Sequence, residues 1–217
     1  MTWISLGRYM TSSSACSRSE ATRAKLLAAA RTAFAEKGFH ATTTRDIATG
    51  AGMSPAAVYV HHRSKEELLY VLSRAGHEAT LELVRSALAT ADDPTGQLRA
   101  VIRAFAVRHA ETHTTARIVN YELSALAPEH FEQIRRLRRE IDHEIRSLIR
   151  RGVDAGEFHT PDTGMAATAL LSLGIDLARW YRPGGRWSPE DVGDFYADLA
   201  ARMLGASSGT GPEPAPE

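Results

Sequence analysis

Apolar residues recur along this chain at intervals of three and four, while alternating β-branched runs and Asn-Gly or Asp-Gly turns do not occur. That periodicity predicts helices from end to end and no sheet. Over 20–37 the stripe is Leu27, Ala30 and Phe34, and Gly38 suits the position just past a helix end. Thr43 or Thr44 caps a short helix to 51, with Asp46, three residues after Thr43, as the reciprocal capping partner and Ile47, Ala48 and Ala51 facing inward. Gly52 turns the chain, and Pro55 opens a second short helix to 61. Ser64 caps a long helix over 65–89 on Leu68, Leu69, Leu72, Leu81 and Val84. Further helices follow over 95–111, 115–126, 128–155, 163–181 and 189–204, all but the second begun by a Pro or a capping side chain or both.

These elements define an all-α chain of about nine helices, three in an N-terminal block and six longer ones behind it. The expected divisions are a disordered arm over 1–19, a helix-turn-helix domain over 20–66, a ligand-binding and dimerisation domain over 67–205, and a disordered tail over 206–217. The tail is rich in Gly, Ser, Pro and Glu.

The chain has 217 residues with 43% hydrophobic and 24% charged residues, ordinary for a folded domain of this size. A single cysteine excludes an internal disulfide framework, and no apolar run is long enough to span a bilayer. No secretory leader is recognisable in 1–19, so the cytoplasm is the expected compartment and no membrane partner is expected. The formal net charge is zero, yet unevenly spread. Residues 1–65 hold nine Lys and Arg against three acids, and the remainder is acidic by the same excess. A basic block on an acidic body points to a polyanionic partner for the block alone.

Residues 44–61 have the spacing of a helix-turn-helix, whose second helix enters the major groove of DNA. Thr43, Thr44 and Arg45 then form a phosphate seat at the start of the first helix. Two short helices joined by glycine occur in many helical proteins, so spacing alone leaves the assignment open. The stretch TRAKLLAAARTAFAEKGFHATTTRDIATGAGMSPAAVYVHHRSKEELL, residues 22–69, resembles the DNA-binding domain of TetR-family transcriptional regulators. FAEKGF, TTxxDIA, AGxSxxxxY and SKEELL stand in the family's order. The resemblance implies a homodimer that binds a double-stranded operator through Thr44, Arg45, Tyr59, His61 and Lys65 on the phosphates. Ser54, Pro55, Ala56 and Val60 would face the groove. Tyr59 has a second reading, as a core residue. His62 departs from the pattern, standing where the family often has Phe.

The resemblance also implies a cavity among the middle helices for a small-molecule inducer. The segment IDLARWYRPGGRWSPEDVGDFYADLARML is similar to actinobacterial regulators of lipid and steroid catabolism, which fits a lipid-like ligand or an acyl-CoA thioester. Candidate lining residues are Phe105, His109, Asn120, Tyr121, Leu171, Asp176 and Trp180. Arg135, Arg136, Arg138 and Arg139 form a basic cluster, more simply a solvated face paired with nearby Glu than a seat for CoA phosphates. The last two helices would build the dimer interface through Leu170, Leu173, Leu177, Phe195, Leu199 and Met203, although the same residues can complete a monomer core. His109 and His113 have metal-ligand spacing, but no carboxylate or cysteine completes a set, so no metal is expected. No cofactor loop or catalytic constellation is present, which argues against the alternative of a helical carrier or enzyme with an incidental helix-turn-helix.

Overall fold

Capping side chains set most of the helix starts. Thr43, Ser54, Ser64, Asp93, Asp162 and Ser188 each accept hydrogen bonds from backbone amides in the first turn of the helix that follows. The computed structural model describes residues 10–206. Among them the helices are α1 (Met10–Ala41), α2 (Thr44–Gly50), α3 (Pro55–His61), α4 (Lys65–Leu88), α5 (Pro94–Glu111), α6 (His113–Tyr121), α7 (Pro128–Asp154), α8 (Thr163–Trp180) and α9 (Pro189–Met203). No strand occurs among the described residues, and no helix there is long and apolar enough to cross a membrane.

Three expectations need correction. The arm expected over 1–19 is helical from Met10 onward. No Pro or Gly stands between Met10 and Lys37, so nothing interrupts a helix already anchored downstream. The helix expected over 115–126 begins at His113, ends at Tyr121 and is followed by a 3-10 turn over Leu123–Ala125. Ala206, assigned to the tail, is buried and donates its N–H to the Ala201 carbonyl at 2.9 Å. The rest of the arm and tail calls, 1–9 and 207–217, lie outside the described residues.

The N-terminal helices pack around Leu26, Ala30, Phe34, Phe39, Ile47, Ala48 and Val58. Gly52, at φ 68°, makes the turn between α2 and α3 that a side chain would strain. This core is not self-contained. Leu68 and Leu69 from the first turn of α4 are fully buried in it, so a boundary at 66/67 falls inside a shared helix. Ile118 of α6, Leu126 and Ile134 of α7 complete it from the other side. In the body α5 is central, packed against α4, α7, α8 and α9. Its outer face is tied to α9 by Arg99 to Asp198 and by Arg103 to Asp194 at 2.6 Å.

The ammonium of Lys65 donates to three carbonyls, Phe39 at 2.9 Å, His40 at 3.2 Å and Thr42 at 2.8 Å, and lies 4.5 Å from the centre of the Phe39 ring. All three of its donors are therefore engaged in closing the turn between α1 and α2. His62 is buried, and neither ring nitrogen has a hydrogen-bond partner. Burial lowers its pKa below the ordinary 6.5.

Two outcomes follow from these side chains. Lys65→Ala should destabilise the fold by about 1–3 kcal/mol, because it orphans carbonyls that accept from a cation, as read by urea unfolding. His62→Phe should raise the melting temperature. The unfolded chain takes up a proton that the buried imidazole resists, so the wild type loses stability as pH falls below about 6.5, and the variant should lose less between pH 7 and pH 5.

Candidate functional site

Two regions gather the residues singled out in the sequence. The first is the outer face of α3. Its inward residue is Val58, which leaves Ser54, Pro55 and Ala56 exposed together with Tyr59 (57% exposed) and Val60 (78% exposed). A valine so exposed on a short helix has no packing role. Tyr59 is thus on the surface, which removes its core reading. Its hydroxyl lies 3.3 Å from Thr44 Oγ1, so two hydroxyls meet beside the start of α2. Arg45 is exposed on the same helix and makes no ion pair among the described residues. His61 is half-buried at the end of α3.

The other two residues of that set are engaged internally. Thr43 Oγ1 donates to Asp46 Oδ2 at 2.7 Å and accepts from the Asp46 amide at 3.1 Å, while its own N–H donates to the same carboxylate at 2.8 Å. Lys37 Nζ bonds the other oxygen of Asp46 at 2.8 Å. That lysine, and then Thr43, holds the Asp46 carboxyl well below the usual carboxylate range. Thr43 is a cap rather than a free donor. Lys65, with its three carbonyls, closes a turn and has no donor left for a phosphate.

The second region is an open cavity of about 460 Å³ lined mainly by α4 to α8, within the usual range for small-molecule sites. Phe105, Ala116, Val119, Ile141, Leu171 and Ile175 form its apolar wall. Phe105 reaches its place because α8 carries Gly174 opposite it; a Cβ there would stand 2.5 Å from the ring. Arg31, Arg108, Arg135, Arg138 and Arg139 also line it, against one carboxylate, Asp142, which is paired with Arg146 at 2.7 Å. The sequence reading of this arginine cluster is half right. Arg135 and Arg139 pair with Glu132 at 3.2 and 2.6 Å. Arg138 instead turns inward and donates to Asn120 Oδ1 at 3.1 Å, and its burial lowers its pKa.

His77 and His109 stand on facing helices at this cavity. Each Nδ1–H donates to the carbonyl four residues earlier, of Ser73 and Phe105 respectively, at 2.8 Å. Burial pushes both imidazoles down to about 4. They are neutral near pH 7, and the unprotonated Nε2 of each is an acceptor.

Of the seven residues expected at the ligand, Phe105, His109, Asn120 and Leu171 line the cavity. Tyr121 does not. It follows Asn120 by one position and so faces a different side of α6, lining a separate cavity of about 330 Å³ with Phe34 and Arg117. Its hydroxyl lies 3.4 Å from Asp176. Asp176 and Trp180 line neither cavity. Trp180 is nine residues beyond Leu171, half a turn round the helix. His77 was missed, although a histidine in register with Leu69, Ser73 and Leu81 marks a polar group on a buried stripe. Arg31 carried no such mark. Among the described residues no cluster of three or more His, Cys, Asp or Glu is placed to hold a metal.

The dimerisation set divides in the same way. Leu170 and Leu177 are buried in the protomer's own core and cannot reach a partner. Leu173 and Leu199 are half-buried, and Phe195 and Met203 are exposed, as is Met165 on α8. The outer faces of the last two helices are thus apolar and open.

Comparison with known proteins identifies the family. Residues 26–71 match the family model described as bacterial regulatory proteins, tetR family, and residues 91–204 match a tetracyclin repressor-like C-terminal domain. The HTH-type transcriptional repressor KstR2 of Rhodococcus jostii (strain RHA1) is 30% identical over 179 residues, 82% of this chain and 88% of that protein. The crystal structure of a bacterial regulatory protein in the tetR family from Rhodococcus RHA1 superposes with a TM-score of 0.82 at 39% identity, covering 86% of this chain and 98% of that one. AibR, solved in complex with isovaleryl coenzyme A and operator DNA, shares the fold at a TM-score of 0.75 and 22% identity, over 84% of this chain and 97% of that one. The basic helix-turn-helix block and the helical body behind it belong to one architecture, and the chain is a member of the TetR family of bacterial transcriptional regulators.

Proposed function

We propose that this chain is a homodimeric repressor that leaves its operator when a CoA thioester with an apolar acyl group fills the central cavity. The carrying observation is the composition of that cavity, in which an apolar wall faces five arginines and a single, already paired carboxylate. An acyl chain suits the first side and the phosphates of a CoA moiety the second. AibR, with isovaleryl coenzyme A as its ligand, is a member of the same fold and supports this choice of chemistry.

The release route runs through α7. Its middle carries the cavity arginines, and its first turns are tied to the start of α4. Glu66 accepts from the Ala127 amide at 2.9 Å and pairs with His130 at 2.9 Å. Tyr70 stacks on His130 at 3.9 Å and donates to Gln133 at 2.6 Å. Ligand binding at the middle of α7 therefore biases the angle at which α4 leaves the DNA-binding helices, a population shift between docked and released spacings. On the DNA we assign Arg45, Thr44 and Tyr59 to the phosphates and Ser54, Pro55, Ala56 and Val60 to the groove, where readout relies on thymine methyls and DNA shape. The open faces of α8 and α9 join the two protomers.

Fluorescence anisotropy with duplex DNA from upstream of the protein's own gene tests the reading. The protein should bind as a dimer, and acyl-CoA thioesters should release it where the matching free fatty acids do not. No DNA binding at low salt would overturn the proposal. Arg45→Ala should weaken binding to all sequences and lower the salt slope by about one per protomer. Lys65→Ala should leave that slope unchanged.

A further inference from the structure

The lining of the central cavity comes from the body helices with one exception, Arg31, which belongs to α1 in the DNA-binding domain. Arg31 is exposed and makes no ion pair among the described residues. Its helix is held against the body just beyond it, where Arg117 of α6 donates to the Ala35 carbonyl at 2.7 Å. A guanidinium from one domain and those of Arg135, Arg138 and Arg139 from the other thus border one space. Cations that border one space repel; Arg135 and Arg139 share Glu132, while Arg31 and Arg138 have no carboxylate partner among the described residues and Asp142 is committed to Arg146. A phosphate or pyrophosphate group removes that repulsion and accepts hydrogen bonds from both sides.

We propose that Arg31 contacts the phosphates of the ligand, so that the bound ligand itself straps the DNA-binding helices to α7. This rests on the acyl-CoA reading above and assigns its regulation. The strap fixes one orientation of α1 to α3 relative to the body, which is the orientation that the ligand favours. Because coupling is reciprocal, operator DNA that requires another orientation must weaken ligand binding by the same factor that ligand weakens DNA binding. Arg31 is then a residue through which that factor acts, in addition to the route along α7.

The probes are octanoyl-CoA, S-octanoyl-pantetheine and CoA alone, titrated calorimetrically into the full-length protein with and without operator duplex. The wild type should bind octanoyl-CoA more tightly than S-octanoyl-pantetheine, which keeps the chain and thioester and lacks the phosphates. Arg31→Gln should weaken octanoyl-CoA and CoA by about tenfold and leave S-octanoyl-pantetheine unchanged. It should also shrink the ratio of octanoyl-CoA affinities measured without and with operator. Arg31→Lys should recover part of both. Equal weakening of octanoyl-CoA and S-octanoyl-pantetheine would mean a structural defect and would overturn the strap. So would an unchanged affinity in Arg31→Gln. If the wild type binds octanoyl-CoA no better than the pantetheine ester, the CoA reading of the cavity falls, and the strap with it.

Discussion

The N-terminal core closes only with help from the body. Phe34, Phe39, Ile47 and Val58 would leave an open apolar side if the first three helices stood alone; Ile118, Leu126 and Ile134 cover it. Burying those side chains contributes several kcal/mol by area, comparable with the whole stability of a small domain. The helix-turn-helix is therefore not a bead on a flexible string. Its position is fixed by the same contacts that keep it folded.

Polar groups then give direction to that mechanical link. Glu66, Tyr70, His130 and Gln133 knit α4 to α7 at the domain junction, while Arg85 bonds Glu144 at 2.9 Å further along the same pair of helices. The exposed pair is worth little by itself. The cluster at the junction is half-buried, and its stacked rings and directional bonds select one register of α4 against α7. Arg138 on the inward side of α7 places charge beside this junction. On the proposed reading, the helix that meets the ligand's phosphates is also the helix that holds this junction.

Helix starts were legible in the sequence because caps and prolines act locally. Asp93 with Pro94, Asp162 and Ser188 with Pro189 begin their helices as read. Periodicity also identified the buried face of α4, but on α9 the protomer buries Val192, Ala197, Ala200 and Ala201 and leaves Phe195 and Met203 exposed. It could not tell which neighbour that face meets, and the errors collect there. Leu170 and Leu177 share the apolar stripe of α8, yet the stripe is wide enough to serve the protomer core on one edge and leave Leu173 near the surface on the other. The cavity depends on five helices converging, so only Phe105, His109, Asn120 and Leu171 were placed in it. Lys65 sat at a helix start suited to phosphate; that the carbonyls of Phe39, His40 and Thr42 would reach it first depends on a turn 23 to 26 residues away.

That tripod of carbonyls has a consequence for which side chains the position tolerates. A compact ammonium can aim one proton at each of three acceptors converging from different directions. A guanidinium is flat, longer and forked, and it serves acceptors lying side by side in a plane. Arginine keeps the charge at this position but not the geometry, and acetylation removes both the charge and two of the three protons. The usual exchange between the two basic residues is therefore closed here, and an acetyltransferase would find the amine only after the turn between the first two helices had opened.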